Sequence, residues 1–258
     1  YFDIGEPNQH YKKDYPELYN RLKKLKSILE IDSEVTSYII CVGDRVDENG
    51  NQDIENIKKA LVSLKSAKGT VILRSTILPS YLKDLDFDIY LPEFLHEKAA
   101  VKECVNPQYI VVGKKNNDSV VPSFIEIWRK RSFKQMDSSP EDAAHVKYLS
   151  NLWNALKIAF TNEYGSSITE PKDLQSTERI DNVLNFVFDN QPYLHYGRGF
   201  GGHCLPKDSR AYSNWATENG KEVSLIKGMI VTNDNHIKTQ EKFPHLKEWY
   251  SNWPEQTG

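Results

Sequence analysis

Gly197–Asp208 reads GRGFGGHCLPKD, with four glycines in six positions (197, 199, 201 and 202). Closely spaced glycines let a backbone take positive φ or approach a ligand. Cys204 follows them, and Lys207 and Asp208 come within the next four residues. A thiol beside cationic groups can lose its proton more easily and act as a nucleophile. The chemistry this predicts is covalent catalysis through Cys204. The bland reading is a glycine-rich turn with an incidental buried cysteine. A zinc site is poorly supported, because His203 and Cys204 are adjacent and no second cysteine stands at ligand spacing.

Three further groups belong to the candidate chemistry. Lys147 and Asn151 are four residues apart in a helical pattern and share a face that could border a cleft. Arg74, Ser75 and Thr76 end a predicted strand, where ligands of open α/β sheets bind, and Thr76 is placed to touch one. Glu93 and Glu97 follow another predicted strand in LPEFLHEKAA. For the helical pair the competing reading is a solvated Lys–Asn pair, and for the glutamates it is surface carboxylates or a helix start.

These groups need elements to carry them. PELYNRLKKLKSILE reads as a helix, with Leu18, Leu22, Leu25 and Leu29 at helical spacing. Short β-rich runs at 38–43, 70–76, 87–92 and 109–114 predict four strands, with Cys41 buried in the first. DRVDENGNQD between them predicts a loop. Ile54, Ile57, Leu61 and Leu64 form one stripe of a helix that Asp53 or Asn51 could cap. VPSFIEIWRKRSF reads as a further helix. Apolar strands separated by helices predict a mostly parallel, Rossmann-like sheet covered on both faces. From Glu141 a long helix begins, with Leu149, Trp153, Leu156 and Phe160 on its apolar face and Lys147 and Asn151 flanking that stripe. The predicted organisation is an α/β domain over 1–125, a helical central domain over 126–236 and a peripheral tail over 237–258.

The composition is that of a globular chain, with 27% charged and 39% hydrophobic residues. A net charge of −3 argues against a nucleic-acid coat protein. No apolar run reaches the roughly 18 residues that span a bilayer. Three widely spaced cysteines do not form a secreted disulfide scaffold, so the expected setting is cytoplasmic.

Taken in order, ICVG, GTVILRSTILP, PEFLHEKAAVKECVNPQYIVVG, EDAAHVKYLSNLWNALKIAFTNEYG and GFGGHCLPKD resemble the UDP-glucose/GDP-mannose dehydrogenase family over roughly residues 38–235. The resemblance implies oxidation of a nucleotide sugar at C6, from alcohol to carboxylate, with two NAD consumed. It implies that Cys204 attacks the aldehyde, giving a thiohemiacetal and then a thioester. Lys147 would stabilise oxyanions, Asn151 would hold substrate or water, and Asp208 would activate water. Thr76 and Glu93 would position that water or act in acid–base steps. The resemblance puts Asp3, Val42, Gly43, Thr76 and Glu97 near the cofactor, and Phe200, Gly201, Gly202, Lys147 and Asn151 near the sugar nucleotide. It also implies a homodimer through the long helix, with no metal, nucleic acid or membrane partner.

The family pattern opens with a G-x-G-x-x-G loop that is not found in these 258 residues. YFDI would then stand as the second strand, with Asp3 at the adenosine ribose; the expectation is either that the first βα unit lies before residue 1 or that half of the pyrophosphate site is missing. The pattern's C-terminal nucleotide-binding domain is not found either. Thr-Pro of the pattern is Asp44-Arg45 here, the Asn before Pro-Glu-Phe is Leu91, and Lys98 stands for a common glycine. Arg45 is expected to offset the charge that Asp44 brings near phosphates. Two other readings compete. One is a non-catalytic relative that binds a nucleotide or a partner. The other is an acyl-transfer thiol enzyme with His203 or His195 as base.

Overall fold

The computed structural model describes residues 9–26, 30–31, 34–96 and 99–247. The chain begins with two short helices, α1 (Gln9–Asp14) and α2 (Pro16–Asn20). The longer helix expected from the leucine spacing stops at Asn20, and Leu18 and Leu22 are about half exposed. An amphipathic stripe without a surface to bury it does not sustain a helix, because nucleation is costly and isolated turns are marginal. Leu29 and YFDI lie outside the described residues.

Next come β1 (Ser37–Ile40), β2 (Arg45–Val46), β3 (Gln52–Asp53), α3 (Glu55–Ser63), β4 (Thr70–Leu73) and α4 (Pro79–Leu82). The stretch expected as an open loop is a small antiparallel hairpin of β2 with β3, and it buries Asp44 and Gln52. Ile57 and Leu61 of α3, with Ile54 and Leu64 at its ends, are all buried, each contributing about 1.5–3 kcal/mol. The helix takes Ile54 as its N-cap, while the Asp53 carboxylate accepts from the Glu55 N–H at 2.9 Å, so the expected cap acts from one residue further out. β1 ends before Cys41, which is exposed instead of buried.

The first unit closes with β5 (Ile89–Tyr90), α5 (Ala100–Val105), β6 (Tyr109–Lys114), α6 (Ser123–Arg131) and β7 (Lys134–Ser138). One sheet orders the strands β1-β4-β5-β6-β7, parallel throughout except for the β5–β6 pair. β7 was not anticipated: KQMDS is a polar edge strand, mostly exposed, with no apolar run to announce it. Because it pairs with β6 over Tyr109–Gly113, the sheet unit runs to Ser138, not to residue 125.

The second unit is helical: α7 (Pro140–Ile168), α8 (Leu174–Phe188), α9 (Cys204–Glu218) and α10 (Ser224–Gln240). The start of α7 follows from sequence: Ser139 accepts from the Asp142 N–H, Pro140 stands at N1, and Glu141 and Asp142 complement the dipole. At about 1.5 Å per residue its 29 residues reach about 44 Å. One end packs on the sheet, where Ala143 and Ala144 join the first core. The rest packs on α9 and α10 through Leu152, Ala155, Ile158 and Ala159. Of the apolar stripe read from the sequence, Leu149, Trp153 and Phe160 lie on the outer face with Tyr164, all more than half exposed, whereas Leu156 packs against the inner core. The inner face combines Tyr148, Leu152 and Ile158 with small residues and the polar Lys147 and Asn162. No helix among the described residues is long and apolar enough to cross a membrane.

Candidate active site

Two helices and two strand ends bring the candidate residues together. Lys147 and Asn151 lie on the inner face of α7, opposite the exposed apolar stripe and not beside it. Lys147 is 4% exposed, and its Nζ donates to Glu93 Oε1 at 3.4 Å and sits 5.5 Å from the Phe94 ring centre. Glu93 follows β5, and its Oε2 accepts from the Leu95 N–H at 2.6 Å, which fixes the carboxylate. One turn along α7, Asn151 Nδ2 donates to Asp208 Oδ2 at 2.5 Å. Asp208 is buried on α9, one turn below Cys204.

Cys204 is the first residue of α9 and is exposed. Gly202, at φ +70°, makes the turn into that helix with open space around it. The protein crowded around the thiol raises its pKa, and Asp208 and Glu93 raise it further, while Lys147 and Lys207 pull it down. The balance lies above the ordinary thiol value, so the resting group is protonated, contrary to the lowered pKa anticipated from Lys207 alone.

Lys207 is committed elsewhere. Its Nζ donates to Asp208 Oδ1 at 2.6 Å and to both carboxylate oxygens of Asp44 at 2.9 Å. Burial works against its charge, but Asp208 and Asp44 outweigh that, and its pKa is raised. Lys207, and not the exposed Arg45, therefore offsets Asp44. Gln52 completes the group: its Nε2 donates to Asp44 Oδ2 at 2.6 Å and to the Thr76 carbonyl at 3.2 Å, and its Oε1 accepts from the Leu78 N–H. The Tyr148 hydroxyl lies 3.4 Å from the same amide. Thr76 is thus held at the carboxyl end of β4, within the same polar cluster.

The glycine loop is pinned from behind. Asn162 on α7 accepts from the Gly197 N–H and donates to the Arg198 carbonyl. On α10, Asn233 bonds both backbone groups of Phe200, His236 meets the Gly197 carbonyl, and Gln240 accepts from Gly199 N–H. Phe200 itself is 1% exposed among Leu152, Ala155 and Met229. With its side chain in the core and its backbone satisfied, it anchors the loop. Gly201 and Gly202 remain at the surface side of the turn. Sequence reading missed Asn162, Asn233 and His236. Their signal was polar side chains at the inward-facing positions of helices.

Val42 and Gly43 lie exposed beyond β1, and the place of a Gly43 side chain is empty to 4 Å. That bare strand end fits the close approach of a dinucleotide, on the sheet edge where Thr76 and Glu93 also lie. Asp3 and Glu97, the other expected cofactor contacts, lie outside the described residues.

Comparison with known proteins agrees with this geometry. Residues 17–131 match the model of the UDP-glucose/GDP-mannose dehydrogenase family's NAD binding domain, and residues 141–235 match its central domain. GDP-mannose 6-dehydrogenase of Pseudomonas aeruginosa is 29% identical over 237 residues, covering 81% of this chain and 52% of that protein. UDP-glucose 6-dehydrogenase of Rickettsia felis is 29% identical over 241 residues, covering 83% and 51%. A solved UDP-glucose dehydrogenase from Pyrobaculum islandicum superposes with a TM-score of 0.72 at 25% identity, covering 90% of this chain and 58% of that one. The chain spans about half the length of the relatives it matches.

Proposed function

Because the chain belongs to the UDP-glucose/GDP-mannose dehydrogenase family, we propose that the protein oxidises the C6 alcohol of a nucleotide sugar to a carboxylate, with NAD as cofactor and Cys204 as nucleophile. The observation that carries this is the convergence of Lys147, Asn151, Asp208 and Glu93 around one thiol. Nothing in packing calls for two buried cations and two carboxylates beside an exposed cysteine.

NAD, one molecule for each hydride, would supply the hydride acceptor. The chain's own residues do the rest. Glu93 and Thr76 hold the water that takes the hydroxyl proton as the alcohol becomes an aldehyde. The Cys204 thiol gives its proton to water as the sulfur adds to the aldehyde carbon, and Lys147 meets the oxyanion as the C–S bond forms. Loss of the second hydride from that carbon leaves a thioester. Asp208, oriented by Asn151, takes a proton from water; the water attacks, the C–S bond breaks and the sulfur recovers a proton. Four-electron oxidation is thereby divided into two two-electron steps on one side chain.

The exposed stripe on α7 supports a homodimer, since Leu149, Trp153, Phe160 and Tyr164 form a row on one face of one helix. A cytoplasmic setting, where nucleotide sugars and NAD are both at hand, is part of the same proposal.

The test is NADH formation from a panel of UDP- and GDP-linked hexoses. The expected result is two NADH per sugar, with none beyond the first in Cys204→Ala. A panel without turnover would leave only the binding reading.

A further inference from the structure

Asp44 and Gln52 are buried polar residues on a hairpin that carries none of the chemistry described above, yet their side chains reach into the site. Asp44 is 7% exposed and Gln52 5%. A buried carboxylate costs several kcal/mol unless it is paired and hydrogen-bonded, so its placement needs a reason. Asp44 meets Lys207 through both oxygens, and Lys207 meets Asp208, giving a chain of three charges across the two units. Asp208 in turn receives Asn151 on its other oxygen. Asp44 thus reaches Asp208 through Lys207, while Gln52 ties Asp44 to the Thr76 carbonyl and the Leu78 N–H beyond β4.

The hairpin is built to hold this position. Gly50 at its tip has φ +86°, and a Cβ there would lie 2.7 Å from the Arg210 carbonyl of α9. Asn214 of α9 donates to Asn51 at 3.1 Å. The hairpin therefore seats directly on the helix that carries Cys204, Lys207 and Asp208.

We propose that Asp44, steadied by Gln52, is a positioning residue: it holds the Lys207 ammonium against Asp208 and so fixes the carboxylate that serves Cys204. This rests on the dehydrogenase reading for its effect on turnover, but its electrostatic part stands apart from it. Lys207 and Asp208 bear on the thiol with opposite signs, and Asp44 is bonded to Lys207 through both of its oxygens. The proposed effect of Asp44 on Cys204 passes through Lys207.

The experiment measures the pH dependence of iodoacetamide labelling at Cys204, by peptide mass, in the full-length protein and in Asp44→Asn, Lys207→Met and the double variant. With Asp44 neutral, the Lys207 ammonium is less fully offset and acts more strongly on the thiol, so the labelling midpoint of Asp44→Asn moves to lower pH by about half a unit. In the Lys207→Met background the same substitution moves nothing. An unchanged midpoint in Asp44→Asn, or an equal shift in both backgrounds, overturns the proposal. Should Asp44→Asn not fold, Asp44→Thr, which restores the residue of the family pattern, is read in the same way. Where the protein turns over, Asp44→Asn lowers kcat about tenfold and leaves the sugar-nucleotide KM within twofold. A protein without turnover leaves the labelling cycle intact, so failure of the dehydrogenase reading is seen separately.

Discussion

Cys204 illustrates how one side chain's properties are set by groups far apart in sequence. From sequence, Lys207 three residues on suggested an activated thiolate. In the fold Lys207 spends its charge on Asp44 and Asp208, and the thiol keeps its proton at rest. The sign of each neighbour gives a direct prediction. Labelling of Cys204 accelerates only as pH passes above the ordinary thiol range. Asp208→Asn moves that midpoint down and Lys147→Met moves it up, by about one unit in each direction. Peptide-resolved labelling rates from pH 6 to 10.5 check both signs. The residues that carry chemistry were legible because their types and spacing are unusual. Asp44 and Gln52 were not, because a polar residue in a polar stretch gives no sign that it is buried.

Among the elements, α8 carries a comparable tension. Asp181 is half-buried there, receiving the Tyr196 N–H at 3.4 Å, and burial raises its pKa to about 6. An acid whose folded pKa exceeds its unfolded value of about 3.9 favours the folded state when protonated. Its penalty is absent below the unfolded pKa, grows between about pH 4 and 6, and is fully present above. Asp181→Asn should therefore raise stability at pH 7 by about 1 kcal/mol, below the limit of about 3 kcal/mol set by the shift, and leave it little changed near pH 4. Urea unfolding at the two pH values measures this. The strong elements were readable for simple reasons: α3 and α7 have caps and periodicity, and β4 and β6 have apolar runs. The failures share a cause. The Leu18–Leu25 stretch ran past its helix, and β7 was polar, because in both cases tertiary context and not local pattern set the outcome.

At the scale of the molecule, a helix of 29 residues is packed on one side and bare on the other. An apolar row serves a core or an interface equally well, so the stripe read from sequence did not show which way it faced, and one of its members, Leu156, turns inward. Leu152, Ile158, small residues and Lys147 face inward; Leu149, Trp153 and Phe160 face out. A dimer through that row predicts that Trp153→Glu gives a monomer by sedimentation, with the α-helical circular dichroism retained. A dimer that survives the substitution would move the interface elsewhere.

The central claim is that Cys204 becomes bonded to the sugar carbon during turnover. The direct measurement is peptide mass after acid quench of the Asp208→Asn protein mixed with NAD and its nucleotide sugar, since that substitution slows the water step. The account predicts a Cys204 peptide heavier by the acylated nucleotide sugar, formed as NADH appears. NADH formation with the Cys204 peptide unmodified would contradict it.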